Sequence, residues 1–78
     1  MKDFNVSVGS RIKEKRLELK WTRDKLAYEA KISDKFLYDL EVGKKGMSAE
    51  TLHKLSRALG VSADWLLGGE NLDKRILL

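Results

Sequence analysis

Serine or threonine residues precede five short segments of this chain in which apolar residues recur at helical spacing. They are Ser7, Thr22, Ser33, Ser48 and Ser62. A side-chain oxygen at such a position accepts a hydrogen bond from a free backbone N–H of the first helical turn, so these residues favour helix starts. Apolar residues spaced three and four apart then predict that each segment continues as an amphipathic helix. We therefore expect five helices, each beginning just after its capping residue.

Glycine residues predict where most of these helices end. The first helix is expected to run to about Leu19, the third to stop at Gly43 and the fourth at Gly60, since glycine commonly follows the last helical residue. The fifth is expected to be short, over residues 63–67. The chain has no proline, few β-branched residues and no regular alternation of apolar and polar residues that would favour strands. The expected fold class is all-α.

The length of 78 residues allows one small domain, which we place at residues 1–69, followed by a short C-terminal tail over residues 70–78. With no cysteine and a single histidine, His53, the chain offers neither a disulfide nor a zinc site. It also lacks a Ser/His/Asp or Cys/His set suited to nucleophilic catalysis. We expect helix packing to stabilise the fold, and we predict no enzymatic activity, no metal and no cofactor.

The positive charge of the chain is concentrated in its first three-fifths. Residues 1–47 contain 12 Lys and Arg against 8 Asp and Glu, whereas residues 48–78 contain 4 of each class, and the net charge is +4. A basic half favours a polyanionic partner, nucleic acid above all. No apolar run of about 18 residues could span a membrane, and the N-terminal residues lack the pattern of a signal peptide. We expect a soluble protein of the cytoplasm.

Residues 23–42 satisfy the packing demands of a helix-turn-helix. Two short helices that cross at a steep angle need a small residue at the crossing, and Ala27 takes that place in the second helix. Apolar residues are also needed beside the turn and on the inner side of the following helix. These positions hold Leu26, Ala30, Ile32, Leu37 and Leu40. The pattern predicts a helix-turn-helix formed by helices 2 and 3, with an ordinary helical hairpin as the alternative.

Further motif residues extend over nearly the whole domain. They are Ser10, Arg11, Ile12, Lys13 and Arg16 in the first helix, Thr22, Leu26 and Ala27 in the second, Leu40, Glu41, Gly43 and Lys44 at the end of the third, and residues 58–62 and 64–67 beyond. On these residues the chain resembles the phage repressor and Cro-type (XRE-like) family of helix-turn-helix regulators over residues 7–69. The resemblance implies a compact five-helix bundle of the lambda-repressor-like type. It also implies sequence-specific binding of double-stranded DNA through helix 3, as a transcriptional repressor or regulator.

The third helix divides into two faces at about 100° per residue. The inward face holds Leu37, Leu40 and Glu41. The opposite face holds Lys35, Tyr38, Asp39 and Val42, with Asp34 and Phe36 at its margins. Aromatic and aliphatic residues beside charges are unusual on a surface that meets only water, so we interpret this side as a contact face. The resemblance implies that it enters the major groove of DNA, with the N-terminal half of the helix on base edges.

The chemistry of this contact face indicates roles in base recognition. Lys35 would donate to guanine acceptors or to a phosphate, and Tyr38 would contact a thymine methyl group. Asp34 and Asp39 only accept hydrogen bonds, so each would need a cytosine amino group, or would position a neighbouring lysine. Two acidic residues on this face also leave a second hypothesis open. The chain would then be a protein-binding adaptor, such as an antitoxin or the target of an anti-repressor.

A second group of polar residues is expected to hold the phosphate backbone of DNA. Thr22 and Arg23 open helix 2, Ser33 opens helix 3, and Lys44 and Lys45 follow helix 3. A solvated loop is the alternative for the two lysines. The family usually has glutamine where this chain has Arg23, and the arginine keeps a backbone contact but loses an amide that would orient a neighbour.

Two expectations about geometry also come from the resemblance. It implies an ion pair between Arg16 of helix 1 and Glu41 of helix 3, which would orient the recognition helix, maintain the fold, or both. The family often has glycine where Lys20 and Lys31 stand. We predict that Lys31 has a positive φ, because the turn of the helix-turn-helix needs one there.

A homodimer is expected on DNA. One module of this size reads only a short site, so tight specific binding generally needs two half-sites about one helical turn apart. The candidates for the dimer surface are the fifth helix and the apolar residues 76–78 of the tail.

Overall fold

The computed structural model describes residues 2–68 of the chain, which form five helices. They are α1 (Lys2–Glu18), α2 (Arg23–Ala30), α3 (Asp34–Glu41), α4 (Ala49–Leu59) and α5 (Ala63–Leu66). No strand occurs within these residues. The expected all-α fold, with α2 and α3 as the two helices of the helix-turn-helix, is confirmed. The predicted tail over residues 70–78 lies outside the described residues.

Four of the five predicted capping residues begin a helix as expected. The side-chain oxygens of Thr22, Ser33, Ser48 and Ser62 each accept a hydrogen bond of 3.0 to 3.2 Å from the backbone N–H three residues further on. The backbone of each residue is extended, as the position before a helix requires. Loss of such a cap costs about 1 kcal/mol, so short-range sequence largely determines where α2 to α5 begin.

The predicted start of the first helix after Ser7 is wrong, because α1 already begins at Lys2. Ser7 is a half-buried residue within that helix. The stripe of apolar residues four apart extends back from the buried Val8 and Ile12 to Phe4. Asp3 in the first turn also favours this start, because a negative charge there interacts well with the helix dipole. A serine in the middle of a continuing stripe therefore does not mark a helix start.

Two lysines end helices in the left-handed region of backbone conformation that usually holds glycine. Lys31 has φ 59° and caps α2, which confirms the predicted positive φ. Lys20, which follows α1, has φ 62°. After Lys31 the chain turns so that the N–H of Ile32 donates to the carbonyl of Ala27, at 3.0 Å. A residue with a Cβ pays about 1–2 kcal/mol for this conformation, so both turns are strained.

The core lies between α1, α2, α3 and α4, and α5 packs against its α1 and α4 side. Leu37 and Leu40 of α3, predicted to point inward, are almost completely buried. Ala27 and Ala30 are the small residues of α2, and their burial lets α3 pack closely against that helix. The remaining buried apolar residues are Val8, Ile12, Leu26, Leu55, Leu59 and Leu66. None of the described helices is long and apolar enough to cross a membrane.

Two glycines dock α1 against the C-terminal end of α3. A Cβ on Gly9 would overlap the backbone carbonyl oxygens of Leu40 and Glu41, so only glycine allows this approach. Gly43, predicted only as a helix stop, has φ 80° and lies so close to the backbone of Val6 that a side chain would collide with it. The end of α3 is therefore held against α1 by direct backbone contact, which limits how far the exposed side of α3 can tilt.

Candidate nucleic-acid interface

The exposed side of α3 carries Lys35 and Tyr38, with Val42 directly after the helix. Tyr38 is 43% exposed although its ring is large and apolar. Arg23 and Lys45 flank these residues from the start of α2 and from the loop after α3. We call Arg23, Lys35, Tyr38 and Lys45 the α3 surface. The two predicted faces of α3 are confirmed, with the exception of Asp39.

A buried ion pair fixes α3 against α1. The Nε of Arg16 donates to Oε2 of Glu41 at 2.7 Å, and its Nη2 donates to Oε1 at 3.1 Å. The remaining Nη1 donates to the backbone carbonyl of Trp21 at 2.9 Å. A two-point contact between a planar guanidinium and a carboxylate sets both distance and orientation. Since Glu41 is the last residue of α3, this pair determines the direction in which the helix presents its exposed side.

Arg23 joins the buried ion pair to the exposed surface. Its Nε donates to Oε1 of Glu41 at 3.5 Å, and its guanidinium lies 5.0 Å from the ring centroid of Tyr38. A guanidinium over an aromatic face is attracted by the negative charge of the ring face. The sequence suggested that arginine in place of glutamine would no longer orient a neighbour. The structure shows that Arg23 lies over the ring of Tyr38, a cation–π contact that the sequence alone did not reveal.

The prediction that Asp39 points outward is wrong. Its side chain is 1% exposed, and its two carboxylate oxygens accept hydrogen bonds from Nζ of Lys35, both at 3.1 Å. Nζ of Lys45 lies 3.5 Å from Oδ2 on the other side. The helical angle of Asp39 is the predicted one, but the lysine side chains and the loop that follows α3 cover it. The hydrogen bond from Lys35 holds the pKa of Asp39 below its usual range, opposed by burial.

The backbone carbonyl of Asp39 also orders the loop that follows α3. It accepts hydrogen bonds from the backbone N–H groups of Lys44 at 2.9 Å and Lys45 at 3.3 Å. The loop thus folds back over the last turn of the helix. The side chains of both Lys44 and Lys45 are exposed. The loop backbone is therefore ordered around the two lysines, and Lys45 additionally contacts the Asp39 carboxylate.

Asp34 lies at the start of α3 beside an acidic residue of α2. A hydrogen bond with the carboxyl group of Asp24 raises the pKa of Asp34, and partial desolvation and the negative charge of Asp24 act in the same direction. The positive charge of Arg23 opposes the rise. The side chain of Asp34 is exposed. Of the two aspartates predicted on the contact face, only Asp34 is accessible to a partner, which weakens the reason for the adaptor hypothesis.

The hydroxyl groups of Thr22 and Ser33 lie at the exposed N-termini of α2 and α3. Each oxygen accepts a backbone N–H as a cap, and its own proton stays available to donate to an external acceptor. Helix N-termini favour anions because unpaired N–H groups and the helix dipole point outward there. The two positions offer the chemistry that a phosphate oxygen needs. Within residues 2–68, no group of three or more His, Cys, Asp or Glu side chains forms a metal site.

Two short capped helices that pack through small residues, the second exposing a polar and aromatic side, define a helix-turn-helix domain. The chain belongs to the phage repressor and Cro-type (XRE-like) family of these domains. The profile of the family described as "Helix-turn-helix domain" matches residues 9–72.

Three curated relatives resemble the chain over most of its length. The immunity repressor protein of Bacillus phage phi105 is 38% identical over 69 residues, which is 88% of this chain and 48% of the relative. The HTH-type transcriptional regulator ImmR of Bacillus subtilis (strain 168) is 33% identical over 70 residues, 90% of this chain and 55% of the relative. The HTH-type transcriptional regulator DicA of Escherichia coli (strain K12) is 34% identical over 70 residues, 90% of this chain and 52% of the relative. The chain spans about half the length of these relatives.

Two crystal structures share the fold. The clp gene regulator ClgR from C. glutamicum superposes with a TM-score of 0.78 at 29% identity, covering 85% of this chain and 86% of that one. The restriction-modification controller protein C.AhdI from Aeromonas hydrophila has a TM-score of 0.77 at 24% identity, covering 80% of this chain and 94% of that one. At this level of identity, C.AhdI supports the fold alone.

Proposed function

We propose that this chain binds double-stranded DNA in a sequence-specific manner and regulates transcription, most simply as a repressor in the cytoplasm. The observation that carries the proposal is the α3 surface: exposed Lys35 and Tyr38 on a helix whose direction is held by the buried Arg16–Glu41 pair. An exposed helix with a rigid base suits insertion into the major groove. The named relatives, an immunity repressor and two transcriptional regulators, support the same function.

Each residue of the interface has a proposed role. Lys35 donates to the O6 and N7 acceptors of guanine, and Tyr38 contacts a thymine methyl group. Asp34, at the edge of the helix, accepts from a cytosine amino group when it is ionised. The residues that hold phosphates are Thr22, Arg23, Ser33, Lys44 and Lys45. Binding needs no cofactor and involves no catalysis.

The test is selection of bound sequences from a random duplex library, followed by affinity measurements on the preferred and a random duplex. If Lys44 and Lys45 neutralise phosphates, replacing either by alanine weakens binding to both duplexes alike. It also lowers the slope of log affinity against log salt by about 0.9 per lost contact. Lys54→Ala on α4 is the matched control, because it removes the same charge outside the interface. A library without any enriched sequence contradicts the proposed function.

We also infer that the chain binds its operator as a homodimer. Phe4 and Leu67 are large apolar residues with exposed surface, and they line one groove of about 200 Å³ together with Val8, Met47 and Leu52. Leu67 directly follows α5, the helix expected at the dimer surface, and residues 76–78 lie outside the described residues. In sedimentation velocity with a two-half-site duplex, Leu67→Glu should lower the fraction of duplex that carries two chains and weaken binding. Unchanged sedimentation would contradict this surface.

A further inference from the structure

We propose that Asp39 is a positioning residue that sets the sequence preference of the α3 surface. Its buried carboxylate holds the base-reading Lys35 and the phosphate-binding Lys45 in one fixed arrangement, although Asp39 itself is too buried to touch DNA. This inference rests on the proposed function, since it assigns the origin of specificity within the same interface.

The Lys35 contact places an ammonium group where a base edge is expected. Lys35 lies one helical turn before Asp39, and its Nζ is 3.1 Å from both carboxylate oxygens. The lysine side chain remains 74% exposed, while the aspartate is 1% exposed. An ammonium group has three protons, so at least one still points away from the carboxylate. The lysine is thus restrained without losing its capacity to donate to guanine.

The Lys45 contact connects the same carboxylate to the loop. Nζ of Lys45 lies 3.5 Å from Oδ2 of Asp39, and the Lys45 side chain is 57% exposed. The backbone carbonyl of Asp39 accepts from the N–H groups of Lys44 and Lys45, so main chain and side chain act together. Asp39 therefore restrains the distance between Lys35 on the helix and Lys45 in the loop. Binding to bases and phosphates in a single register requires such a restraint.

The arrangement has opposite consequences for preferred and random DNA. On the preferred duplex, a restrained Lys35 loses less conformational freedom on binding than a free lysine would, which favours the matched site. On random duplex, the negative charge of Asp39 competes with phosphates for both lysines and weakens contacts that ignore the sequence. Asp39 should thus raise the affinity for preferred DNA and lower the affinity for random DNA, so that the ratio of the two affinities increases.

The experiment compares Asp39→Asn with the unchanged chain on the selected duplex and on a random duplex at fixed salt. We expect affinity for the preferred duplex to fall about tenfold and affinity for the random duplex to rise up to about threefold. Glu14→Gln is the matched control, since it removes an equal charge from an exposed site on α1, outside the α3 surface. It should raise both affinities together and leave their ratio unchanged.

A double-mutant cycle separates positioning from a purely structural role. If Asp39 acts through Lys35, Asp39→Asn should no longer lower affinity for the preferred duplex once Lys35→Met is present. A purely structural residue would instead lower both affinities in parallel. Should the asparagine variant fail to fold by circular dichroism, Asp39→Glu keeps the charge and moves the carboxylate. That variant should lose preference while retaining its affinity for random duplex.

Two negative results remain distinguishable. If the unchanged chain enriches no sequence from the library, the proposed function fails before Asp39 is tested. If it enriches a sequence, and Asp39→Asn has the same affinity ratio as Glu14→Gln, the positioning role of Asp39 is overturned while DNA binding stands.

Discussion

Two carboxylates lie two residues apart on α3, each almost completely buried and each contacted by two cations. Glu41 contacts Arg16 and Arg23 on the side of the core, whereas Asp39 contacts Lys35 and Lys45 on the side of solvent. The difference lies in the cations. We call Glu41 with Arg16 and Arg23 the Glu41 cluster, and Asp39 with Lys35 and Lys45 the Asp39 cluster. The Arg16 guanidinium makes a two-point contact and is itself buried, while both lysines of the Asp39 cluster keep most of their surface exposed.

The two groups of residues therefore have different roles. The contacts of Glu41 fix the position of α3, and the contacts of Asp39 present charged side chains at the surface. Arginine holds a carboxylate in one plane through two parallel hydrogen bonds, which suits an internal joint. Lysine carries a compact charge on a flexible stem with three donors, so it can contact Asp39 and still donate elsewhere. We therefore expect changes at the Glu41 cluster to act mainly on stability, and changes at the Asp39 cluster to act mainly on DNA binding.

The largest expected effect is at the Glu41 cluster. Arg16→Met leaves the buried Glu41 carboxylate with only the longer contact to Arg23, and should lower the free energy of unfolding by about 3–5 kcal/mol. Urea denaturation followed by circular dichroism measures the change. The neighbouring Lys15→Met serves as control, because it breaks only a surface pair with Glu18, worth about 0–1 kcal/mol. Similar costs for the two variants would contradict the structural role of the Glu41 cluster.

Leu40 stands between the two carboxylates in sequence and is buried in the core. Leu40→Ala should cost about 2–5 kcal/mol, through lost burial and the cavity left behind. Lys35→Ala, on the exposed side of the same helix, should cost only about 0–1 kcal/mol, because the lysine of the ion pair it removes is 74% exposed. If both substitutions shift the melting temperature equally, the assignment of inner and outer sides fails.

Tyr38 tests the exposed side without involving Asp39. Tyr38→Ala should cost about 1–3 kcal/mol on the preferred duplex and little on random duplex, because it removes a base contact rather than a phosphate contact. Fluorescence anisotropy with labelled duplexes measures both. Tyr28→Ala is the matched control, since Tyr28 is a more exposed tyrosine on α2 outside the α3 surface. A loss of equal size on both duplexes would show that Tyr38 does not read bases.

The strained turns provide a smaller effect that is independent of either cluster. Lys31→Gly and Lys20→Gly should each raise the free energy of unfolding by up to about 1 kcal/mol, since glycine relieves the left-handed strain but gains freedom in the unfolded chain. Thermal unfolding at matched protein concentration is the measurement. Lys13→Gly, within α1, should instead destabilise the fold by about 1 kcal/mol. A stabilising effect at Lys13 would show that the gain does not come from backbone strain.

The smallest expected effects are pH-dependent and opposite in sign for the two aspartates. The pKa of Asp34 is raised in the folded chain, mainly by the hydrogen bond with Asp24. The stability of the fold should therefore fall as the pH rises from the usual aspartate pKa to the raised pKa of Asp34. The pKa of Asp39 is lowered, mainly by Lys35, so its contribution should be present above the usual range and lost as pH falls through the lowered pKa.

Urea midpoints between about pH 2 and pH 7 measure both contributions. Asp34→Asn should abolish the loss of stability that occurs above the usual aspartate pKa. Asp39→Asn should abolish the loss of stability that occurs at low pH. The two profiles can be compared directly, because both residues belong to α3. Identical pH profiles for the two variants would contradict the different surroundings of these carboxylates.

Much of the fold could be predicted because the decisive interactions are local. A cap such as Ser33 bonds to a backbone N–H three residues away, and the spacing of Leu37 and Leu40 reflects the helical repeat itself. The positive φ of Lys31 also follows from a short-range demand of the turn. Ser7 misled the prediction of α1 because its residue type is common at helix starts, while the apolar stripe that overrides it extends back to Phe4.

The candidate site was less predictable because several of its contacts join residues distant in sequence. A helical angle placed Asp39 outward, but it could not include the Lys45 side chain that folds back from the loop. The cation–π contact of Arg23 with Tyr38 joins the start of α2 to the middle of α3. The close contact of Gly9 with the end of α3 likewise joins residues distant in sequence, although a glycine within a helical pattern can signal close backbone packing.

The sequence by itself determined the all-α class, the starts of α2 to α5 and the core side of α3, because caps and helical periodicity act within a few residues. Only the tertiary structure decided that Asp39 is buried between two lysines and that Arg23 lies against Tyr38. The Arg23–Tyr38 contact requires a close approach of α2 to α3, and the Lys45 contact requires the loop to fold back over the last turn of α3. Such approach depends on the packing of whole helices against each other, which no short stretch of sequence encodes.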